Sequence, residues 1–123
     1  METEREIAGG GSVRRVLIYL HEGEWVGHHS AYRAILDLLR REHAVAVTAV
    51  RGMAGFGESG AVHTDMLADV IERLPIVIEW LDTPERIEHL LPRIEEMAPH
   101  GLITVDDTSV LLYRPRQRPP GVP

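Results

Sequence analysis

The alternation of apolar and polar positions divides the central part of the chain into short strands and amphipathic helices. Three apolar stretches rich in β-branched residues predict strands, because such residues pack well on a pleated, buried surface. They are residues 13–20, 44–50 and 74–82. Pro75 fits the beginning of the third strand, where it does not have to donate a ladder hydrogen bond.

Two further segments carry apolar residues at helical spacing. The first follows Ser30, a favourable N-cap, and its apolar positions are Ala31, Ala34, Ile35, Leu38 and Leu39. The second begins at Thr83-Pro84-Glu85, which combines a hydroxyl cap, a first-position proline and an acid in the first turn. Its apolar face comprises Ile87, Leu90, Leu91 and Ile94. Pro92 lies inside this pattern and predicts a kink.

The remaining segments complete a β-α-β-loop-β-α-β order. Residues 101–107 and 109–114 predict one broken strand or two short ones, residues 64–73 a short helix, and residues 22–29 a connector. This order predicts an α+β, ferredoxin-like βαββαβ sandwich, with an antiparallel sheet and two helices on one of its faces. A single domain has nothing left to cover the other face, so the pattern also predicts an oligomer.

The length of 123 residues fits one domain. Residues 1–12 are polar and end in glycines, which predicts a disordered leader, and residues 13–114 contain all the patterned sequence. Residues 115–123 form a Pro/Arg-rich stretch that we expect to be a disordered tail. The sequence contains neither a secretory signal nor a long apolar run, which indicates a cytoplasmic protein.

The net charge and the residue composition exclude several classes of binding site and catalytic group. The formal net charge of −6 argues against nucleic-acid binding, which usually requires a basic face. Cysteine is absent, which excludes disulfides, thiolate metal sites and cysteine nucleophiles. All 13 basic residues other than histidine are arginines. A phosphate-binding lysine, Schiff-base chemistry and a lysine general base are therefore excluded as well. Any bound anion must therefore be held by arginine, histidine or backbone N–H groups.

No arrangement of residues in the sequence is diagnostic of catalysis, so we expect a protein that is not an enzyme. The stretch around Ser59 lacks the spacing of a nucleophile elbow. Asp106 and Asp107 are sequence neighbours, and we expect both to be solvated. The histidines of the connector region offer an alternative, a metal site formed by His21, His28 and His29.

The segment RGMAGFGESGAVHT, residues 51–64, is the strongest candidate for a binding function. Glycines such as Gly55 and Gly57 tolerate positive φ, which lets backbone N–H groups converge on an anion. Phe56 between them is the only phenylalanine of the chain and is a candidate wall of a pocket. The segment matches no strict phosphate-loop pattern, and a mobile connector between two strands is the alternative.

This segment resembles the strand end and loop base of PII-type signalling proteins, where a valine-rich strand runs into Gly-Phe-Gly. The stretches RVLIYLHEGEW, LPIVIEWLDTPERIEHLLP and GLITVDDTSVLLYR extend the resemblance to residues 13–114. They are similar to a PII-like branch known only as a domain of unknown function. The resemblance implies a compact homotrimer whose sheets pack inward, acting in signal transduction.

The resemblance also implies a ligand site in the cleft between neighbouring subunits, where PII proteins bind an adenine nucleotide. Gly55, Phe56 and Gly57 match the segment that lines the cleft, and Arg114 and Arg116 fall where an arginine pair of the neighbour reaches the phosphates. To these we add Arg51, which precedes the loop. Since the glycine-lysine pair of PII proteins is missing, we expect a smaller anionic effector, with AMP or ADP as candidates.

Signalling in such proteins runs through the loop that follows the cleft segment, which corresponds to residues 52–73 here. Effector binding is expected to order this loop, which then docks on a partner such as a membrane transporter or channel. The alternative on the same fold is a divalent-metal-binding or stress-related trimer, with the three connector histidines as ligands.

Overall fold

The computed structural model describes residues 11–55, 63–64 and 74–116. Its strands are β1 (Ser12–His21), β2 (Trp25–Val26), β3 (His29–Ser30), β4 (Ala46–Arg51), β5 (Ala54–Gly55), β6 (His63–Thr64), β7 (Pro75–Asp82) and β8 (Leu102–Ser109). Its helices are α1 (Ala31–Arg41) and α2 (Pro84–Met97). The predicted helix over residues 64–73 falls mostly outside the described residues, although Thr64 lies in β6.

Four strands form the main sheet in the order β4-β7-β1-β8, and every neighbouring pair is antiparallel. Ile18 marks the centre, because it lies opposite Ile78 of β7 and Ile103 of β8. The two β-α-β halves are β1-α1-β4 and β7-α2-β8, and their strands interleave in the sheet. This topology confirms the predicted ferredoxin-like α+β fold.

The core lies between the helices and one face of the sheet. Along β7 alternate side chains are buried, and Ile76, Ile78 and Trp80 point to the core side. The buried residues of α1 are Ala31, Ile35, Leu38 and Leu39, and those of α2 are Ile87, Leu90 and Ile94. The predicted apolar faces of both helices are therefore confirmed, with Ala34 and Leu91 only half-buried at their margins.

The start of α2 is fixed by side-chain contacts. Thr83 Oγ1 accepts a hydrogen bond from the backbone N–H of Arg86 at 3.4 Å, which confirms the predicted cap. Ser30 precedes α1 in extended conformation, but its side chain makes no capping hydrogen bond. The helix α2 continues across Pro92 to Met97.

Asp82, the last residue of β7, joins three parts of the domain. Its buried carboxylate accepts hydrogen bonds from the N–H of Thr83 at 2.9 Å, the indole N–H of Trp80 at 3.2 Å and the N–H of Val45 at 3.3 Å. Arg86 completes the set, with its Nε 3.1 Å from Asp82 Oδ1. The carboxylate thereby links the sheet, the α1–β4 connection and the start of α2.

Two elements differ from the sequence-based predictions. The connector 22–29 contains part of a small hairpin, because β2 and β3 pair through Val26 and His29 around a turn in which Gly27 has a φ of +60°. The last strand is unbroken from Leu102 to Ser109, and the predicted strand over 109–114 does not form. Strands of two residues carry too little alternation to be recognised in a sequence.

The prediction that Asp106 and Asp107 are solvated is confirmed, and the structure adds an ion pair for each. Both are exposed, but each lies opposite an arginine of β1. Arg15 Nη2 is 2.8 Å from Asp106 Oδ2, and Arg14 Nε is 3.1 Å from Asp107 Oδ1. The hydrogen bond from Arg15 lowers the pKa of the Asp106 carboxyl below its ordinary value.

The sheet face opposite the helices carries an apolar row. Val50, Val77, Tyr19 and Leu102 are cross-strand partners from β4, β7, β1 and β8, so they form one line across that face. Three of them are exposed, with fractional exposures of 54% for Val50, 38% for Tyr19 and 59% for Leu102. In the single chain, these apolar side chains remain in contact with solvent.

Candidate functional site

The candidate site begins where three strands of the sheet meet at one end. The end of β1, the end of β4 and the start of β7 come together here, since His21 lies opposite Pro75 and Arg51 lies opposite Ile76. We call this place the loop-base corner and define it by Glu22, Arg51, Gly52, Gly55 and Pro75. The backbone N–H of Glu22 donates to Leu74 O at 2.9 Å.

The glycines of the corner pack against a proline. The N–H of Gly52 donates to Pro75 O at 2.7 Å, and a Cβ added to Gly52 would lie 2.7 Å from Pro75 Cγ. The corresponding distance for Gly55 is 3.3 Å. Both positions therefore need glycine, or a shift of the proline ring, because the backbone approaches the ring so closely.

The predicted anion nest is not formed at Gly55. This residue lies in β5, pairs with His63 of β6, and does not have a positive φ. The pairing of β5 with β6 brings Ala54–Gly55 next to His63–Thr64 within the glycine-rich segment. Phe56 and Gly57 lie outside the described residues, so their part in the predicted site stays a prediction.

The charged centre of the corner is an ion pair. Arg51 Nη2 donates to Glu22 Oε1, and the arginine side chain is 54% exposed whereas that of the glutamate is 21% exposed. The second oxygen, Glu22 Oε2, is buried and has no hydrogen-bond partner in the described part of the chain. Arg51 thus presents a half-exposed guanidinium, whose planar array of donors matches phosphate and carboxylate geometry.

A second arginine lies near the same carboxylate. Arg33 Nε donates to the Tyr32 hydroxyl oxygen at 3.0 Å, and its guanidinium carbon is 5.7 Å from the centre of the Tyr32 ring. The pKa of Arg33 is raised above its ordinary value, first by the hydrogen bond with Tyr32 and, to a smaller extent, by the negative charge of Glu22. The Glu22 carboxylate therefore pairs with Arg51 and also contributes to the raised pKa of Arg33.

The other two predicted arginines lie elsewhere in the chain. Arg114 and Arg116 are exposed and follow β8, which leaves the sheet near Ser12, at the opposite end of β1 from the corner. β8 and β4 are also the two edges of the sheet. The sheet of one chain therefore does not bring this arginine pair to Arg51.

The candidate metal ligands occupy the hairpin region. His21 ends β1 and is half-buried, whereas His28 and His29 are exposed at the β2–β3 turn. Among the described residues, no group of three or more His, Cys, Asp or Glu side chains is placed to hold a metal ion. The alternative of a metal-binding trimer gains no support from this arrangement.

Sequence reasoning missed the role of Glu22 and Pro75 in the site. The contact of Glu22 with Arg51 joins residues 29 positions apart, and no local pattern in the sequence indicates it. The one available signal was that Glu22 and Arg51 each stand at the end of a predicted strand. Pro75 was recognised as the start of a strand, but its packing against Gly52 follows only from the register of β4 and β7.

A second depression lies between the end of α1 and the start of α2. It has a volume of about 170 Å³ and is lined by Glu42, Glu85, Arg86, His89 and Leu90. Its arginine is less accessible than Arg51, because Arg86 is only 29% exposed, contacts the buried Asp82 and donates to the backbone carbonyl of Glu42. The loop-base corner, with its half-exposed guanidinium, is the stronger candidate.

Comparison with known proteins places the chain in a family. The family model DUF190, described as Uncharacterized ACR, matches residues 13–110. The UPF0166 protein MJ1524 of Methanocaldococcus jannaschii is 33% identical over 94 residues, which cover 76% of this chain and 86% of that protein. The UPF0166 protein of Aquifex aeolicus is 28% identical over 94 residues, covering 76% of this chain and 89% of that protein.

Solved structures show the same fold. The structure of CPII, a nitrogen regulatory PII-like protein from Thiomonas intermedia K12 bound to ADP, AMP and bicarbonate, matches with a TM-score of 0.57 and 22% identity, covering 80% of this chain and 94% of that one. CPII bound to ADP and bicarbonate, also from Thiomonas intermedia K12, matches with a TM-score of 0.50 and 25% identity. The match covers 80% of this chain and 88% of that one. Neither of the two described helices is long and apolar enough to span a membrane.

The family model and the solved structures together show that the chain belongs to the DUF190 family and has the PII-like fold that its sequence resembles.

Proposed function

We propose that this protein is a non-enzymatic, cytoplasmic PII-like regulator that binds a small anionic effector, ADP or AMP, at clefts between the subunits of a homotrimer. The observation that carries the proposal is the half-exposed guanidinium of Arg51 at the base of the glycine-rich segment. The chain also shares its fold with CPII, whose solved structure is bound to ADP, AMP and bicarbonate.

Arg51 has the chemistry that a phosphate requires. A guanidinium is a cation that offers several N–H donors in one plane. The chain contains no lysine that could take this role. In this proposal Gly55, Phe56 and Gly57 line the cleft, and Arg51 binds the phosphates from the corner.

The trimer explains two features of the single chain. The exposed apolar row of Val50, Tyr19 and Leu102 would become buried if the open sheet faces packed together, and exposed patches of this kind commonly mark interfaces. A neighbouring subunit would also supply Arg114 and Arg116, which the sheet of one chain leaves away from Arg51. The site is complete only in the assembly.

Signalling would use the loop over residues 52–73. Its base is anchored on Pro75, so an effector bound beside Arg51 lies next to both ends of the loop. Ordering of the loop would create the surface that docks on a partner such as a membrane transporter or channel. Ordering of a segment by a bound phosphate is an established type of switch.

The test combines molecular mass with ligand binding. Light scattering should give the mass of three chains of 13.8 kDa, and calorimetry should detect binding of ADP or AMP to the purified protein. The variant Arg51→Ala should weaken nucleotide affinity about tenfold or more, because a charge-assisted contact with phosphate is lost. Arg41→Ala is the matched control, since Arg41 is a 59% exposed arginine on α1 that pairs with Asp37.

Each part of the proposal has its own contradicting result. A monomer in solution would overturn the cleft between subunits. Nucleotide affinity that is unchanged in Arg51→Ala would place the ligand elsewhere. If neither ADP nor AMP binds at millimolar concentration, the proposed effector class is wrong.

A further inference from the structure

The arginine of the proposed site is already held by a carboxylate of the same chain. We propose that Glu22 acts as an internal latch: it retains Arg51 in the unliganded protein, and an anionic effector binds by taking the guanidinium from it. This inference rests on the proposed function, because it concerns the regulation of the same site.

The two partners of the latch differ in how firmly they are placed. The main chain of Glu22 is held directly after β1 by the hydrogen bond from its N–H to Leu74 O, and its side chain is confined because only 21% of it is exposed. Arg51 is 54% exposed and has a longer, more flexible side chain. The arginine is therefore the partner that can move, and the carboxylate is the fixed acceptor.

The surroundings of Glu22 reduce the free-energy cost of releasing Arg51. A carboxylate left alone at a half-buried position is destabilised by the loss of its counter-charge. Arg33 lies close enough for its pKa to be raised partly by the charge of Glu22, so one cation stays nearby when Arg51 moves.

The latch has a consequence for selectivity. An anion must outcompete a carboxylate that is already in contact with Arg51, so ligands of low charge gain little from this arginine. A nucleoside diphosphate carries more negative charge and more acceptor oxygens than a monoanion, and it competes better for the guanidinium. The site thus favours ADP over small monoanions.

The experiment has one arm without nucleotide. Phenylglyoxal modifies accessible arginines, and mass spectrometry of the full chain after digestion gives the rate for each site. In Glu22→Gln, Arg51 should react about threefold faster relative to Arg40, an exposed arginine on α1. Glu24→Gln is the matched control, because Glu24 Oε1 accepts from the N–H of His21 at 3.3 Å instead of from an arginine.

The second arm measures ADP affinity by calorimetry. Glu22→Gln should bind ADP about three- to tenfold more tightly than the wild type, a gain that structural damage would not produce. Glu24→Gln should stay within about twofold of the wild type. In the Arg51→Ala background, Glu22→Gln should have no effect, since the cycle isolates the coupling of the two residues.

The outcomes separate the latch from the proposed function. Equal Arg51 reactivity in wild type and Glu22→Gln, or an equal gain in ADP affinity in the Arg51→Ala background, overturns the latch. ADP binding that Arg51→Ala weakens and Glu22→Gln leaves unchanged also overturns the latch while supporting the proposed function. Absence of ADP binding in both proteins overturns the proposed function, and with it the role of the latch.

Discussion

Replacement of Asp82 by alanine should be strongly destabilising, because Asp82 is the most deeply buried charged residue among the described positions. Its carboxylate accepts from the indole N–H of Trp80, the N–H of Val45 and the N–H of Thr83, and it pairs with Arg86. Alanine removes the acceptor from all of these donors at once and leaves the space of the carboxylate empty.

The magnitude follows from what is left behind. Removing one partner of a buried ion pair costs about 3–5 kcal/mol, and a buried donor without an acceptor costs about 1–3 kcal/mol. These costs are not additive, and Arg86 is 29% exposed and keeps its contact with the backbone carbonyl of Glu42. We therefore expect the free energy of unfolding to fall by about 3–4 kcal/mol in Asp82→Ala. Asp82→Asn should lose about 2 kcal/mol, because its amide oxygen can still accept.

Urea denaturation monitored by tryptophan fluorescence provides the measurement. Trp80 is buried and Trp25 is 63% exposed, so a Trp25→Phe background isolates the signal of Trp80. All variants must be compared at one protein concentration, because subunit association shifts apparent stability. Asp37→Ala is the control: Asp37 is 49% exposed and pairs with arginines on its own helix, so its removal should cost about 0.5 kcal/mol or less. A loss of less than about 1 kcal/mol in Asp82→Ala would refute the reasoning.

Three further substitutions test other parts of the structure by urea denaturation. Pro92→Ala should stabilise the protein by about 1–2 kcal/mol, since it restores a backbone donor inside α2; a neutral or negative effect would contradict this. Gly52→Ala should destabilise it by about 1–3 kcal/mol, because the new Cβ meets the ring of Pro75, and an unchanged urea midpoint would show that the ring yields freely. Asp106→Asn should lower the urea midpoint at pH 7 but not near pH 2.5. Arg15 lowers the pKa of the Asp106 carboxyl in the folded protein, so the ion pair stabilises the folded state at pH values above the unfolded pKa. This stabilisation is lost as the pH falls through the folded pKa. An equal loss at both pH values would exclude this linkage.

The fold was predictable because its main elements carry strong periodicity. The apolar, β-branched run over residues 74–82 predicted a strand, and in the structure its alternate side chains Ile76, Ile78 and Trp80 are buried. Thr83 and Pro84 also mark the start of α2 in the sequence itself. The β2–β3 hairpin was missed, because a pair of two-residue strands depends on its turn and leaves no periodic signal.

The candidate site was predictable only in part, because its contacts depend on register. The position of Arg51 before the glycines is visible in the sequence, but Glu22 reaches it only because β1 and β4 flank β7 and finish at the same end of the sheet. Likewise the pairing of Arg15 with Asp106 follows from the antiparallel register of β1 and β8, which joins residues 91 positions apart. Such contacts are properties of strand pairing, and local composition does not encode them.

The glycine-rich segment uses Gly55 in a different way from the predicted one. Glycine at position 55 was interpreted as freedom to adopt positive φ, whereas the structure uses its missing side chain to bring the backbone against Pro75. Close packing fixes the base of the loop, and a fixed base holds Arg51 beside Glu22 in a defined geometry. In the proposed function, an effector that draws Arg51 from Glu22 would act beside the close contacts of Gly52 and Gly55 with Pro75.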